Sequence, residues 1–339
     1  MRNITIIGGS GFLGKNLIKR LTDWNVTNID KKPLQEKYLP KNYKEIIGDA
    51  NNEKVLEKSL KNADVVWIKA AKLATERHKK SAEEEYEKTN VDLPKKILKI
   101  CERLEIKNIF FDSSDAVFLE SWEKNKHRPN SNQCPKDFYG SSKTKTEKIL
   151  KKWAMEDSER SVQIFRYTRV AYRGSLRLLC LWCIQNQLEL PIKIFGNGNR
   201  AGCMIHLDDC INANLQGINL TPNFEIYNLT LDPITLNELS KIIIENKNKN
   251  GKFIHVEDTF SHTSDPEIHA MDVGETWKKL SYKPKKTIKD IVVETHSFIA
   301  DELSKKTPSP LKKLRFLKPV KKIIRMFIIK SIKKQGIDI

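Results

Sequence analysis

No apolar run in this chain approaches the ~20 residues that cross a bilayer, so no membrane span is expected. No leader-like stretch is read ahead of the first strand-like segment at Asn3–Gly8, so no signal peptide is expected. The six cysteines, at 101, 134, 180, 183, 203 and 210, form no double pair at zinc spacing. Cys180 and Cys183 make a lone C-x-x-C in an apolar helical stretch; they read as buried free thiols, and no metal is expected. No internal repeat is apparent. Together these absences point to a reduced, cytoplasmic protein. Acidic residues are also short, 43 against 61 basic ones, for a net charge of +18. That deficit is local. Residues 304–339 hold twelve Lys and Arg against the single acid Asp338, a surplus of eleven that leaves the rest of the chain at +7. A surplus that small in the body suits an anionic small molecule, and no nucleic-acid partner is expected.

What the chain does have is concentrated at its start. Gly8-Gly9-Ser10-Gly11-Phe12-Leu13-Gly14 follows the apolar run Ile4-Thr5-Ile6-Ile7. This is G-x-x-G-x-x-G between a strand and a helix, where glycines allow a tight turn and close approach of a pyrophosphate to the helix N-terminus. A second strand-like segment, Val26–Ile29, ends in Asp30, about twenty residues on. A carboxylate there hydrogen-bonds the adenosine ribose hydroxyls and repels a 2′-phosphate, which favours NAD over NADP; Lys31 and Lys32 partly offset that repulsion.

With 39% hydrophobic residues in 339, the chain can bury one large core or two smaller ones. Strands are expected at Asn3–Gly8, Asn25–Asp30, Glu45–Ile47, Asp64–Ile68, Lys107–Asp112 and Val162–Arg166. Helices are expected at Leu13–Leu21, Asn52–Leu60, Ala82–Leu104 and Phe138–Glu156. Such alternation, opened by a phosphate-binding turn, predicts an α/β fold with a doubly wound parallel sheet of the Rossmann type. Beyond Arg166 the pattern loosens into helices at Leu176–Leu190, Thr235–Asn246 and within Pro284–Glu302. The expected division is a Rossmann domain over 1–166, a smaller substrate-binding lobe over 167–303 interleaved with returning Rossmann segments, and a basic tail over 304–339.

Tyr139-Gly140-Ser141-Ser142-Lys143 opens a helix, and its tyrosine and lysine, four apart, share a face. An ammonium beside a phenol favours the phenolate and prepares it for proton transfer. Upstream, the strand Asn108–Asp112 runs into Ser113 and Ser114, which presents hydroxyls at the carboxyl edge of the sheet. Pro135 precedes the helix.

In order and spacing these pieces resemble an extended short-chain dehydrogenase/reductase of the nucleotide-sugar epimerase and dehydratase group, over residues 1–300. The resemblance is carried by the glycine turn, Asp30, Gly48-Asp49-Ala50, the segment Asp64–Ala71, Thr89-Asn90-Val91, the serine strand, Pro135 and Tyr139–Lys143. It continues through Ile164-Phe165-Arg166, Ile194–Gly198, Ile205–Asp209 and Tyr227-Asn228-Leu229. It implies Ser114, Tyr139 and Lys143 as the catalytic trio; Ser114 lies three before Val117, where the family has its catalytic Ser or Thr. It implies Gly8, Gly11, Phe12, Leu13, Gly14, Asp30, Asp49, Ala50, Ala70, Ala71, Lys72, Asn90 and again Lys143 around an NAD cofactor. It also implies a nucleotide-sugar substrate and a homodimer formed through the helix of Tyr139.

The departures narrow the reading. Dehydratases of this group follow the catalytic Thr with Asp-Glu. This chain has Asp115-Ala116, so 4,6-dehydration is not expected. Where many relatives carry Asn, two before Tyr-Gly, the sequence reads Arg166-Tyr167-Thr168-Arg169-Val170-Ala171-Tyr172. Where many carry a diphosphate-binding Arg four before the His position it has Gly202. Arg169, Arg173 or Arg200 is left to meet a diphosphate. His206 reads as packing. In the tail, Val320, Ile323, Ile324, Phe327 and Ile328 fall on one arc of a possible helix over Val320–Lys334, with cations mostly opposite. That pattern suits the surface of an anionic membrane, which would make the protein peripheral at the inner face. The leading expectation is an NAD-dependent nucleotide-sugar epimerase working by transient C4 oxidation, in the supply of surface-polysaccharide precursors. The alternatives are an NAD(P)H-dependent reductase of a nucleotide-linked keto-sugar and a non-catalytic nucleotide-binding scaffold tethered at a membrane.

Overall fold

The computed structural model describes residues 1–76, 78–118, 126–247, 250–257 and 270–306. The tail from residue 307, with the segment Val320–Lys334, lies outside the described residues. The elements run β1 Asn3–Ile7, α1 Phe12–Ile18, β2 Asn25–Asp30, β3 Tyr43–Ile47, α2 Glu53–Leu60, β4 Val65–Ile68, α3 Glu83–Tyr86, α4 Leu93–Arg103, β5 Asn108–Ser114, α5 Phe138–Met155 and β6 Ser161–Tyr167. They continue β7 Arg169–Ala171, α6 Arg177–Gln187, β8 Ile192–Phe195, β9 Ala201–Gly202, β10 Met204–His206, α7 Leu207–Gly217, β11 Phe224–Leu229, β12 Ile234–Thr235, α8 Leu236–Lys247, β13 Phe253–Val256, α9 Gly274–Lys279 and α10 Ile288–Lys306.

Two compact units form. The first comprises Met1–Tyr167, Ile211–Leu229 and Met271–Tyr282. Its seven strands pair in the order β11-β6-β5-β4-β1-β2-β3, and every pairing is parallel. A sheet with helices over its faces buries its strands on both sides. Accordingly β1, β4 and β6 are near-continuous apolar or buried runs, and Ile7, Val66, Ile68, Ile109, Phe111, Val162 and Ile164 form a core with Ile97, Leu150 and Trp153 from the helices. Strand order reverses between β1 and β4. Ligands of doubly wound sheets bind at such a reversal, outside the carboxyl ends of the strands. Those ends here are Ile7, Asp30, Ile68 and Ser114.

The one long helix expected over Ala82–Leu104 is instead α3, a wide π turn at Glu87–Asp92, and α4. Pro94 supplies the reason. It has no N–H to give the carbonyl four residues back, and its ring crowds that carbonyl. The carbonyl belongs to Asn90, and it accepts from the Thr146 hydroxyl of α5 instead. The break therefore places Asn90 against α5.

The second unit comprises Thr168–Cys210, Thr230–Ala270 and the residues from Lys283 on. Among its described residues three two-stranded pairings form, β7 with β10, β9 with β12 and β8 with β13. Leu179, Cys183 and Ile184 of α6, Ile192 and Ile194 of β8, Ile243 of α8 and Val292 and Ile299 of α10 form its core. Cys180 and Cys183 are buried free thiols here. His206 is also buried, with Nε2 2.9 Å from a Glu294 carboxylate oxygen. Among the described residues no helix is long and apolar enough to cross a membrane.

Candidate functional site

The glycine turn is shaped by what crosses it. Gly8 has φ +85°. A Cβ there would stand 2.5 Å from the Ala70 amide nitrogen, and one on Gly14 would stand 2.5 Å from the Gly9 carbonyl oxygen. The first approach arises because the Lys69 and Ala70 N–H groups both donate to the Ile7 carbonyl, at 2.9 and 2.7 Å. Beyond β4 the chain is thereby drawn over the end of β1. From β2, the buried Asn28 accepts the Gly9 N–H at 3.0 Å and donates to the Ser10 hydroxyl at 3.1 Å. Asp30 accepts the Ser10 N–H at 3.1 Å and the Lys32 N–H at 3.1 Å. With the Gly8 N–H on the Ile29 carbonyl at 2.8 Å and the Gly11 N–H on the Gly8 carbonyl at 3.5 Å, the first four amides of the glycine run are engaged within the protein. An incoming anion is left the first turn of α1, where the N-cap, Gly11, brings no side chain. Asp49 lies beyond β3 and pairs with Lys31 at 3.2 Å, followed by the buried Ala50.

Asn90 pins the loop beyond β4. Its Oδ1 accepts the Lys72 N–H at 2.7 Å, and its amide donates to the Lys72 carbonyl at 3.2 Å and to Ser142 Oγ at 2.9 Å. Ala70, Ala71 and Lys72 are therefore fixed between the end of β1 and the first turns of α5. The Lys72 ammonium pairs with Glu76 and Glu85 at 3.0 and 2.6 Å.

At the end of β5 two adjacent serines part ways, as alternation along a strand requires. Ser113 donates to Glu147. Ser114 donates to Asp115 at 2.9 Å and accepts the Ala116 N–H at 3.2 Å. Helix α5 begins where the Asp137 carboxylate caps the Gly140 N–H at 2.7 Å. Tyr139 follows, its ring 6.1 Å from that of Tyr86. Lys143 turns inward. Its Nζ donates to the Asp112 carbonyl at 2.7 Å and lies 4.6 Å from the Phe111 ring and 5.8 Å from the Tyr139 ring. Burial holds its ammonium down to about 8, against the opposing pull of Asp112 and Glu147. Lys143 is thus held against β5 at Asp112, two residues before the strand ends in Ser114, and its ammonium lies 5.8 Å from the Tyr139 ring.

The family model described as the NAD dependent epimerase/dehydratase family matches residues 4–230. The chain belongs to this family. Among curated relatives it is similar to the N-acetyl-α-D-glucosaminyl-diphospho-ditrans,octacis-undecaprenol 4-epimerase of Escherichia coli O157:H7, 28% identical over 263 residues, 75% of each chain. Its fold is similar to that of the UDP-glucose 4-epimerase of Thermotoga maritima, solved with UDP-glucose (TM-score 0.74, 21% identity, 89% of this chain and 99% of that one). It is also similar to the UDP-glucuronic acid 4-epimerase of Bacillus cereus, solved with UDP-glucuronic acid and NAD (TM-score 0.73, 19% identity, 88% and 99%).

In the second unit Gly202 of β9 and Arg169 of β7 lie against each other. The Arg169 guanidinium nitrogen lies 2.8 Å from where a Cβ of residue 202 would be. Arg173, at φ +33°, lies over the Tyr172 ring at 5.1 Å. Arg200 is exposed, and its carbonyl accepts the Leu236 N–H at 3.0 Å. Sequence reasoning missed Asn28, Asp112, Asp137 and Glu147. Of these only Asp137 had a local signal, a capping residue just ahead of a helix.

Proposed function

We propose that this family member is an NAD-dependent 4-epimerase of a nucleotide sugar, acting in the supply of surface-polysaccharide precursors. The observation that supports the reading is the Lys143 ammonium, 5.8 Å from the Tyr139 ring and held by the Asp112 carbonyl two residues before Ser114. The turn suits a dinucleotide: Gly8 and Gly14 let the backbone close tightly on itself, Gly11 brings no side chain to the N-terminus of α1, and Asp30 stands where ribose hydroxyls are met. We assign Gly8, Gly11, Phe12, Leu13 and Gly14 to the pyrophosphate, Asp30 to the ribose, Asp49 and Ala50 to the adenine side, and Ala70, Ala71 and Lys72 to the wall. Asn90 acts through its hold on Lys72.

Bound NAD supplies the hydride acceptor for transient C4 oxidation. Ser114 orients the sugar hydroxyl. Tyr139 takes the hydroxyl proton and returns it after the keto-sugar has presented its other face. Lys143 stabilises the phenolate while its own proton is on. The sign follows from its lowered value. The rate should fall as pH rises through about 8, because the ammonium is lost there; a flat profile from pH 7 to 10 would remove Lys143 from this role. With Ala116 in place of a glutamate base, 4,6-dehydration is not proposed.

The test is inversion at C4 of a UDP-hexose followed by NMR, with denaturation of the pure protein to identify released nucleotide. Retained NAD and inversion without net redox change support the epimerase. Stoichiometric consumption of added NAD(P)H would instead establish the reductase. In the same assay Arg169→Ala should raise KM about tenfold or more with kcat held, since a charge-assisted contact to a diphosphate is worth roughly 1.5–3 kcal/mol. An unchanged KM would return the diphosphate to Arg173 or Arg200.

A second reading is favoured by two observations, the 28% identical relative named for an undecaprenol-linked sugar and the basic stretch 304–339. In that reading the diphosphate is carried by a lipid, and the tail rests on an anionic bilayer at about 1 kcal/mol per cation near the surface. Sedimentation with anionic liposomes should bring down the full chain and not a chain ending at residue 303. Equal sedimentation of both ends the membrane proposal.

A further inference from the structure

We propose that Lys69 and Asp112 form a buried charge-balancing pair that positions Lys143 and sets the pH range over which Tyr139 and Lys143 work, an inference that rests on the roles given to those two residues above. The Lys69 ammonium contacts both Asp112 carboxylate oxygens, at 2.8 and 3.1 Å. Its side chain is 2% exposed and that of Asp112 11%. The carboxylate also accepts the Trp67 indole N–H at 2.7 Å and the Tyr167 hydroxyl at 3.3 Å. Tyr167 is held in turn by Asn214 at 2.9 Å, and the Lys69 ammonium lies 4.2 Å from the Trp67 ring centroid.

Such a pair is a poor stabiliser, since well-packed apolar residues do as well in a sheet interior. Its place in the fold gives it another use. Lys69 directly precedes Ala70, which crosses the end of β1, and Asp112 lies two residues before Ser114. The main-chain carbonyl of Asp112 is the acceptor that holds Lys143 Nζ at 2.7 Å. One residue therefore fixes the lysine through its backbone and faces a second cation through its side chain. The carboxylate favours protonated Lys143; the Lys69 cation offsets that effect. Other groups bear on the pair as well. Tyr167 from β6 donates to Asp112, Glu147 from α5 pulls on Lys143 and is paired with Arg166 from β6, Tyr86 from α3 packs on Tyr139, Asp137 caps α5, Asp115 bonds Ser114 and Lys72 beyond β4 is tied to Asn90. Glu147 and Arg166 form a second such pair at 2.6 Å, but the stronger pull on Lys143 comes from Asp112, and only Asp112 also bonds it through the main chain.

The test is a charge-sign series read by pH. Asp112→Asn should move both limbs of the kcat/KM profile down by about one pH unit, and Lys69→Met should move both up by a similar amount. The double variant should return close to the parent, and Lys69→Arg should leave the limbs in place. A substrate-free readout accompanies it: tyrosinate absorbance against pH for each protein, with its Tyr139→Phe form subtracted. Shifts of one sign in both single variants, or none in either, overturn the proposal. If Asp112→Asn does not fold, the contrast between Lys69→Met and Lys69→Arg still decides. Should the absorbance midpoints move as stated while no sugar is inverted, the epimerase reading fails and this one stands.

Discussion

Tyr139→Phe should lower kcat by about 10³-fold, with substrate KM and NAD content close to those of the parent. The expectation follows from geometry. The ring stays where α5 puts it, against Tyr86 at 6.1 Å and within 5.8 Å of the Lys143 ammonium, so substitution removes an oxygen and little packing. What is lost is the group that carries the sugar proton in both half-reactions. Steady-state rates at saturating substrate check it, with thermal melting to show that the variant is folded. Turnover within tenfold of the parent would mean that another group moves the proton, and the assignment of α5 would fall. The epimerase and reductase readings make the same demand on Tyr139, so this variant tests the chemistry they share.

Arg166→Met should cost about 3–5 kcal/mol of stability, a fall in melting temperature on the order of ten degrees for a unit of this size. Arg166 and Glu147 are 1% and 3% exposed by side chain and bonded twice, at 2.6 and 3.0 Å. The guanidinium also donates to the Pro129 carbonyl at 2.8 Å and lies 4.8 Å from the Phe118 ring centroid. Removing it strands a carboxylate that is still approached by Ser113 and Gln133. The penalty is therefore for an uncompensated buried charge rather than for the worth of the pair. Adding Glu147→Gln to Arg166→Met should recover part of the loss. Thermal or urea unfolding of the three proteins measures it, and a loss under 1 kcal/mol for the single variant would contradict the account.

How far the sequence announced all this depends on where the physical signal is local. The unit β1–α1–β2 was legible because glycine spacing, an apolar strand and a terminal acid occupy thirty contiguous residues. The six strands expected in the first half appear within two residues of their expected ends; five of them carry buried residues and read as apolar runs whatever their neighbours, while β3, at the sheet edge, has no buried residue and shows the larger offset at its start. The seventh, β11, was not expected as a strand. Asn228 interrupts its apolar character, and its place beside β6 is settled by residues more than sixty positions away. Helix α7 was missed because Asp208, Asp209 and Asn212 blunt its periodicity. The break at Glu87–Asp92 was hidden because an apolar period runs through it, and only the bond from Thr146 to Asn90 shows where the freed carbonyl goes. In the site, Tyr139 and Lys143 announced themselves by spacing. Asn28, Asp112 and Glu147 did not, because a buried polar residue has no periodic signature; its meaning lies in partners the sequence does not place beside it.

Arg169 is exposed, and the nitrogen that stands 2.8 Å from where a Cβ of residue 202 would be is the far end of a flexible side chain. A small side chain at 202 would therefore swing the guanidinium into solvent instead of straining the backbone. Gly202→Ala should leave the melting temperature close to that of the parent, and its effect, if any, should fall on what the guanidinium can reach.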